Sequence, residues 1–149
     1  MSQHAAFHDA MPAMRAHEGC WTGQYIHLDT NAVELERHDS HVTCEFPDDG
    51  PFAYIQHNIF THADGRIDKA RLDGTFRDGR LWWDTPTFSG SAWETKDGVI
   101  LLHLDRKDLV GVKFWEIILP PVNNIRSRTW HFVKEGALIR RTLCEERRI

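Results

Sequence analysis

The chain has 149 residues, a formal net charge of −4, and 41% hydrophobic and 27% charged residues. That length suits one domain with a real core, and the acidic balance argues against a nucleic-acid groove, which would carry a clustered basic footprint. The apolar runs are too short to cross a bilayer, and the start, MSQHAAFHDAMPAMRAHEG, lacks the basic start and apolar stretch of a secretory signal.

Residues 1–18 form a capping segment, in which Pro12 followed by Ala13, Met14, Arg15 and Ala16 predicts a short helix ending near Gly19. The pattern then changes to short runs of β-branched and aromatic residues. Strands are predicted over 19–28, 33–46, 52–62, 67–76, 80–86, 87–95, 99–106, 112–119, 124–132 and 137–147. Turn signals punctuate them, clearest in HADGRI (62–67), RDGRL (77–81), KDGVI (96–100) and KEGAL (134–138). Asp-Gly and Glu-Gly pairs supply the positive φ that tight hairpins need. No stretch beyond residue 18 keeps a 3.6-residue period, which excludes parallel strands with long helical crossovers. About ten strands joined by short turns leave two exposed edges unless they close. The expectation is an all-β protein: residues 19–149 form one up-and-down antiparallel barrel, with the helix across one end.

Three cysteines, Cys20, Cys44 and Cys144, are odd in number and lack metal-type spacing. They read as reduced thiols in a cytoplasmic protein, with pairing of two of them as the lesser case.

The first predicted strand carries the stretch EGCWTGQY, in which Gly19, Trp21 and Gly23 share one face. An indole between two bare positions needs room on a concave wall or a close backbone crossing. Trp21 is therefore expected to plug the narrow end of the barrel. GCWTG resembles the Gly-x-Trp signature that opens the first strand of the calycins: lipocalins, fatty-acid-binding proteins and their bacterial relatives. The resemblance implies an arginine of the last strand packed over the tryptophan, here Arg141 or Arg147.

A barrel of this size encloses one small ligand. If Trp21 faces inward, so do Tyr25 and His27. Both faces of FAYIQHNIF are mixed, so the lumen is not simply greasy, and Tyr54 and Phe60 join His57 as candidates there. In VKFWEIIL, Glu116 shares a face with Val112, Phe114 and Ile118. In IRSRTWHF the alternating Arg126 and Arg128 read as outward, leaving His131 inward, although Trp130 lies on the arginine face. Trp82, Phe88, His103, Phe114 and Trp115 complete the expected aromatic wall, which suits a small, largely apolar or aromatic molecule.

Ten histidines invite a metal reading, but no His-x-His pair occurs. A metal site would have to assemble across strands from His27, His57, His103 and His131, and exposed or hydrogen-bonded histidines are the simpler reading. No nucleophile elbow, Walker loop or dinucleotide fingerprint is present. The remaining chemistry is proton transfer in a desolvated cavity, with Glu116 as acid or base and His131, His57 or Tyr25 as its complement. Glu116 paired with an arginine is the structural alternative.

The leading expectation is a lyase, isomerase or cyclase that needs no cofactor, which the resemblance to metabolic calycins also implies. The alternatives are a carrier of a hydrophobic ligand, the commonest calycin role, and a nitrobindin-like haem barrel with His131 as axial ligand. Neither a nucleic acid nor a membrane is expected as a partner, and a homodimer is compatible with the chain.

Overall fold

Period-two alternation and tight turns dictate the architecture, and a computed structural model describes every residue from Met1 to Ile149. Ten strands follow one another: β1 (Gly19–Leu28), β2 (Glu34–Glu45), β3 (Tyr54–Thr61), β4 (Ile67–Arg77), β5 (Arg80–Asp84), β6 (Phe88–Glu94), β7 (Ile100–Arg106), β8 (Val112–Ile118), β9 (Ile125–Lys134) and β10 (Ala137–Arg148). Each pairs antiparallel with its sequence neighbours, and β10 pairs with β1 to close the barrel. Closure removes both edges. All three cysteines are free thiols, and no helix is long and apolar enough to cross a membrane.

The turn residues do what their chemistry allows. Asp78 and Gly79 join β4 to β5 at φ 53° and 73°, and Glu135 and Gly136 join β9 to β10 at 51° and 80°. Asn123 and Asn124 make the β8–β9 turn at φ 53° and 60°, without any glycine.

The capping segment departs from expectation. An α-helix, α1, spans Gln3–Ala10, ahead of Pro12, with Ser2 accepting from the Ala5 N–H as its cap. Pro12 has no N–H to continue that helix, and a separate 3₁₀ turn follows over Pro12–His17. The cap lies across one end of the barrel: His4 hydrogen-bonds the Pro47 carbonyl at 2.7 Å, and both Glu94 oxygens accept from the Ala13 and Met14 N–H groups at 3.0 Å. Phe7, Met11 and Met14 enter the core there, beside Phe46, Tyr54 and Phe76.

Trp21 is fully buried at this end, its indole N–H donating to the His17 carbonyl at 2.9 Å. Two guanidiniums cover its ring, Arg148 at 4.3 Å and Arg126 at 4.5 Å from the centroid. The expected Arg141 and Arg147 do not reach it, because β10 pairs Arg148 with Trp21 and turns Arg141 and Arg147 to the outer wall. The flanking glycines have different reasons. A Cβ on Gly23 would stand 2.2 Å from the Glu145 carbonyl oxygen, so this is the close backbone crossing. Gly19, at φ 120°, leaves space for the Arg148 side chain.

Trp21→Ala removes a buried ring and its two cation–π contacts, so urea unfolding should show a loss of about 3–5 kcal/mol. A loss below about 1 kcal/mol would show that the ring is not a structural plug.

Candidate functional site

Alternation places one set of side chains in the lumen: Trp21, Tyr25 and His27 on β1; Tyr54, Gln56, Asn58 and Phe60 on β3; Phe114, Glu116 and Ile118 on β8; and Arg126, Arg128, Trp130 and Phe132 on β9. They enclose a cavity of about 390 Å³ that runs from Met14 and His17 under the cap to the opposite end. Its middle is apolar, walled by Phe60, Phe88, Leu102, Leu104, Phe114 and Trp130. Its two ends are polar.

The floor is a buried charge network. Arg128 Nε donates to Glu116 Oε2 at 2.7 Å, and Arg128 Nη1 donates to Glu146 Oε1 at 2.7 Å and to the Tyr25 hydroxyl oxygen at 3.1 Å. Arg126 Nε donates to the other Glu146 oxygen, and the Cys144 thiol donates to Oε1 at 3.3 Å. All four charged side chains are under 8% exposed, so none is neutralised by water. Two cations against two anions leave no net charge, which is the condition for burying any of them. The two carboxylates nevertheless differ. Burial raises the pKa of Glu116, and its one guanidinium, Arg128, does not offset that. Burial acts on Glu146 as well, but Arg128 and Arg126 together outweigh it and hold its pKa below the usual range.

His17 adjoins the floor. Its Nδ1 lies 3.3 Å from Arg126 Nη1. Arginine only donates, so Nδ1 is the acceptor and Nε2 carries the proton, and Nε2 is buried without a partner. Burial, with Arg126 and Arg128 next, pushes the His17 pKa down to about 3.

The other end is the mouth, ringed by the β1–β2, β3–β4, β5–β6, β7–β8 and β9–β10 connections. His27 bridges Thr142 Oγ1 (2.7 Å) and His38 Nε2 (2.9 Å). The His38 ring lies 4.8 Å from that of His62, which meets Asp68 at 2.8 Å. Burial lowers the pKa of His38, and burial followed by Arg140 and His38 brings His27 down to about 4. Arg140 is half-buried, stands 3.7 Å from Glu36, and has a buried Nε with no partner.

Of the candidates named from the sequence, Tyr25, His27, Tyr54, Phe60, Phe88, Phe114 and Glu116 line the lumen. Five other candidates lie outside it. His131 is on the exposed outer face, because the β8–β9 register pairs Glu116 with Trp130 and Trp115 with His131. It therefore cannot complement Glu116 across the lumen or ligate a haem held there. His57 faces out and meets Glu45 at 3.2 Å. Trp82 lies under the Arg77 guanidinium on the outer wall, and His103 stacks on Trp115 there at 4.2 Å. His27, His57, His103 and His131 are accordingly dispersed over both faces, and no group of three metal-ligating side chains is assembled.

Sequence reasoning missed Arg126, Arg128, Glu146, His17 and His38. The available signal was Trp130 and Phe132 on the arginine face of β9: an aromatic pair marks the inner side more reliably than a charge marks the outer one.

No protein-family model and no curated protein matches the chain. Among solved structures, its fold is similar to the S-type phycobiliprotein lyase CPES from Guillardia theta, with a TM-score of 0.73, 15% identity, and 91% of this chain and 90% of that one covered. A protein of unknown function from the DUF3598 family of Nostoc punctiforme aligns at 0.70 and 17% identity over 91% of this chain, which spans 49% of that longer one. Rv2717c from M. tuberculosis aligns at 0.60 and 16% identity, with 94% and 97% covered. Such identities show a shared fold.

His17 should make the protein acid-sensitive. Its folded pKa of about 3 lies below the ordinary 6.5, so its neutral state favours the fold fully above pH 6.5. That contribution falls away as pH drops from there toward about 3, because the unfolded chain gains the proton first. The urea midpoint should fall between pH 7 and pH 5, and fall less in His17→Gln, which keeps an acceptor for Arg126. Equal pH dependence in both proteins would refute the buried neutral imidazole.

Proposed function

We propose that the barrel binds one small, largely apolar molecule in its lumen, with the apolar body between Phe60, Phe88, Leu104 and Trp130 and a polar group at the histidine- and arginine-lined mouth. One observation carries this reading: a cavity of about 390 Å³ with an apolar middle, inside a closed barrel. That volume lies toward the small end of ligand pockets, roughly 300–1,000 Å³. The unpartnered Arg140 Nε at the mouth supports a polar or anionic group on the ligand.

A catalytic form of the same reading, a lyase or isomerase reaction by proton transfer without a cofactor, rests on Glu116. Its Oε2 is committed to Arg128, and burial raises its pKa, which makes its carboxyl easier to protonate than an exposed glutamate. Tyr25, whose hydroxyl oxygen accepts from the same guanidinium, takes the complementary place that His131 cannot. The likeness to a lyase concerns the fold, so this form stands on the chain's own residues. A carrier would use the same cavity without turnover.

Anilinonaphthalene sulfonate, an aromatic body with one anionic group, is a suitable probe. It should bind saturably with one site per chain, and Leu104→Trp, which fills the lumen, should abolish that site. Glu116→Gln should leave probe binding largely intact, and in an enzyme it should lower turnover by about 10²–10⁴-fold. Unsaturable binding, or binding indifferent to Leu104→Trp, would overturn the lumen as the site.

A further inference from the structure

Outward-facing positions on a barrel are normally polar, and single exposed apolar residues need no explanation. The outer wall over β8, β9, β10 and β1 is different. Trp115, Ile117 and Leu119 in succession on one face, and Leu143 two strands away, are each 40–46% exposed. The registers arrange this wall in three parallel rows. The central row is Ile117, Thr129, Leu143 and Ile26. On the mouth side of it lie Trp115, His131, Arg141 and Leu28. On the cap side lie Leu119, Ser127, Glu145 and Gln24, with the Leu119 N–H bonded to the Ser127 carbonyl at 3.1 Å.

This pattern is self-complementary. A two-fold axis along the central row would bring each apolar member of that row onto itself and exchange the flanking rows. Arg141 of one copy would then face Glu145 of the other, and Trp115 would face Leu119. Arg141 and Glu145 form no ion pair within their own chain, whereas other outer-wall charges do, as with Lys113 and Asp105 at 3.2 Å or Arg71 and Asp73 at 2.7 Å. We infer that this wall is an isologous interface with a second copy of the chain, apolar along the axis and closed by two Arg141–Glu145 pairs. Two-fold self-complementarity is the signature of such contacts. A patch four strands wide and three positions deep covers roughly 400 Å² per copy, in the size range of weak, transient contacts, so the dimer is readily reversible. The mouth of the lumen lies outside this contact.

Sedimentation equilibrium of the full chain over a wide concentration range should show a monomer–dimer equilibrium. Arg141→Glu should abolish it by setting two carboxylates against each other, as should Glu145→Arg by setting two guanidiniums against each other. The double variant carrying both changes should restore the dimer, since the two-fold re-forms both pairs with reversed polarity. Circular dichroism checks that each variant keeps its β-sheet, and the double variant guards against a folding defect in either single one. A monomer throughout the range, a dimer that survives Arg141→Glu, or a double variant that stays monomeric would each overturn the proposal.

Discussion

Two arginines point into this barrel from β9, and the interior is arranged around that fact. A guanidinium under 8% exposed cannot stay charged without partners, and arginine does not escape by losing its proton. Glu146 is shared between both, Glu116 engages Arg128, and the Trp21 ring lies against Arg126. Removing one partner of such a set leaves a buried charge uncompensated, at a cost of about 3–5 kcal/mol. The network spans β8, β9 and β10 and reaches Tyr25 on β1, so it ties together the strands that complete closure.

Its position divides the interior. Toward the cap the rings of Trp21 and Phe7 and the Met11 side chain are packed into the core, and Met14 and His17 close the cavity there. Toward the mouth the inner wall is lined by rings, and there the cavity opens. One charge set thus supplies both a packed end and a polar floor. The floor also makes two carboxylates unequal, since Glu146 has two guanidiniums and Glu116 has one. Of the two, only Glu116 lines the cavity, so it is the carboxylate a proton-transfer role would use, whereas a binding role needs only the walls.

The barrel was legible in the sequence because its signals are local: period-two strands, Asp-Gly turns, and no helical period after residue 18. Trp21 as a plug was legible for the same reason. Side-chain direction was not, because a shift of one residue moves a whole strand face. The Asn123–Asn124 turn sets the register that pairs Glu116 with Trp130, and so sends His131 outside and both arginines inside. Nothing within IRSRTWHF states that register except its two aromatic residues. Arg148 rather than Arg141 covers Trp21 for a related reason: β10 aligns its last residues, not its middle, with the start of β1. The histidine cluster at the mouth joins side chains from β1, β2 and the end of β3, and such long-range assembly has no sequence spacing to reveal it.

The account predicts that a ligand enters above the charge network and below the mouth. The six tryptophans report on this directly, because Trp83 and Trp130 line the cavity, Trp21 lies in the plug, and Trp82, Trp93 and Trp115 are on the outer wall. Indole N–H resonances followed by NMR while anilinonaphthalene sulfonate is added would separate the three locations. The Trp130 and Trp83 signals should shift together to saturation while those of Trp21 and the outer three stay in place. Shifts confined to the outer tryptophans, with Trp130 unmoved, would contradict a ligand site in the lumen.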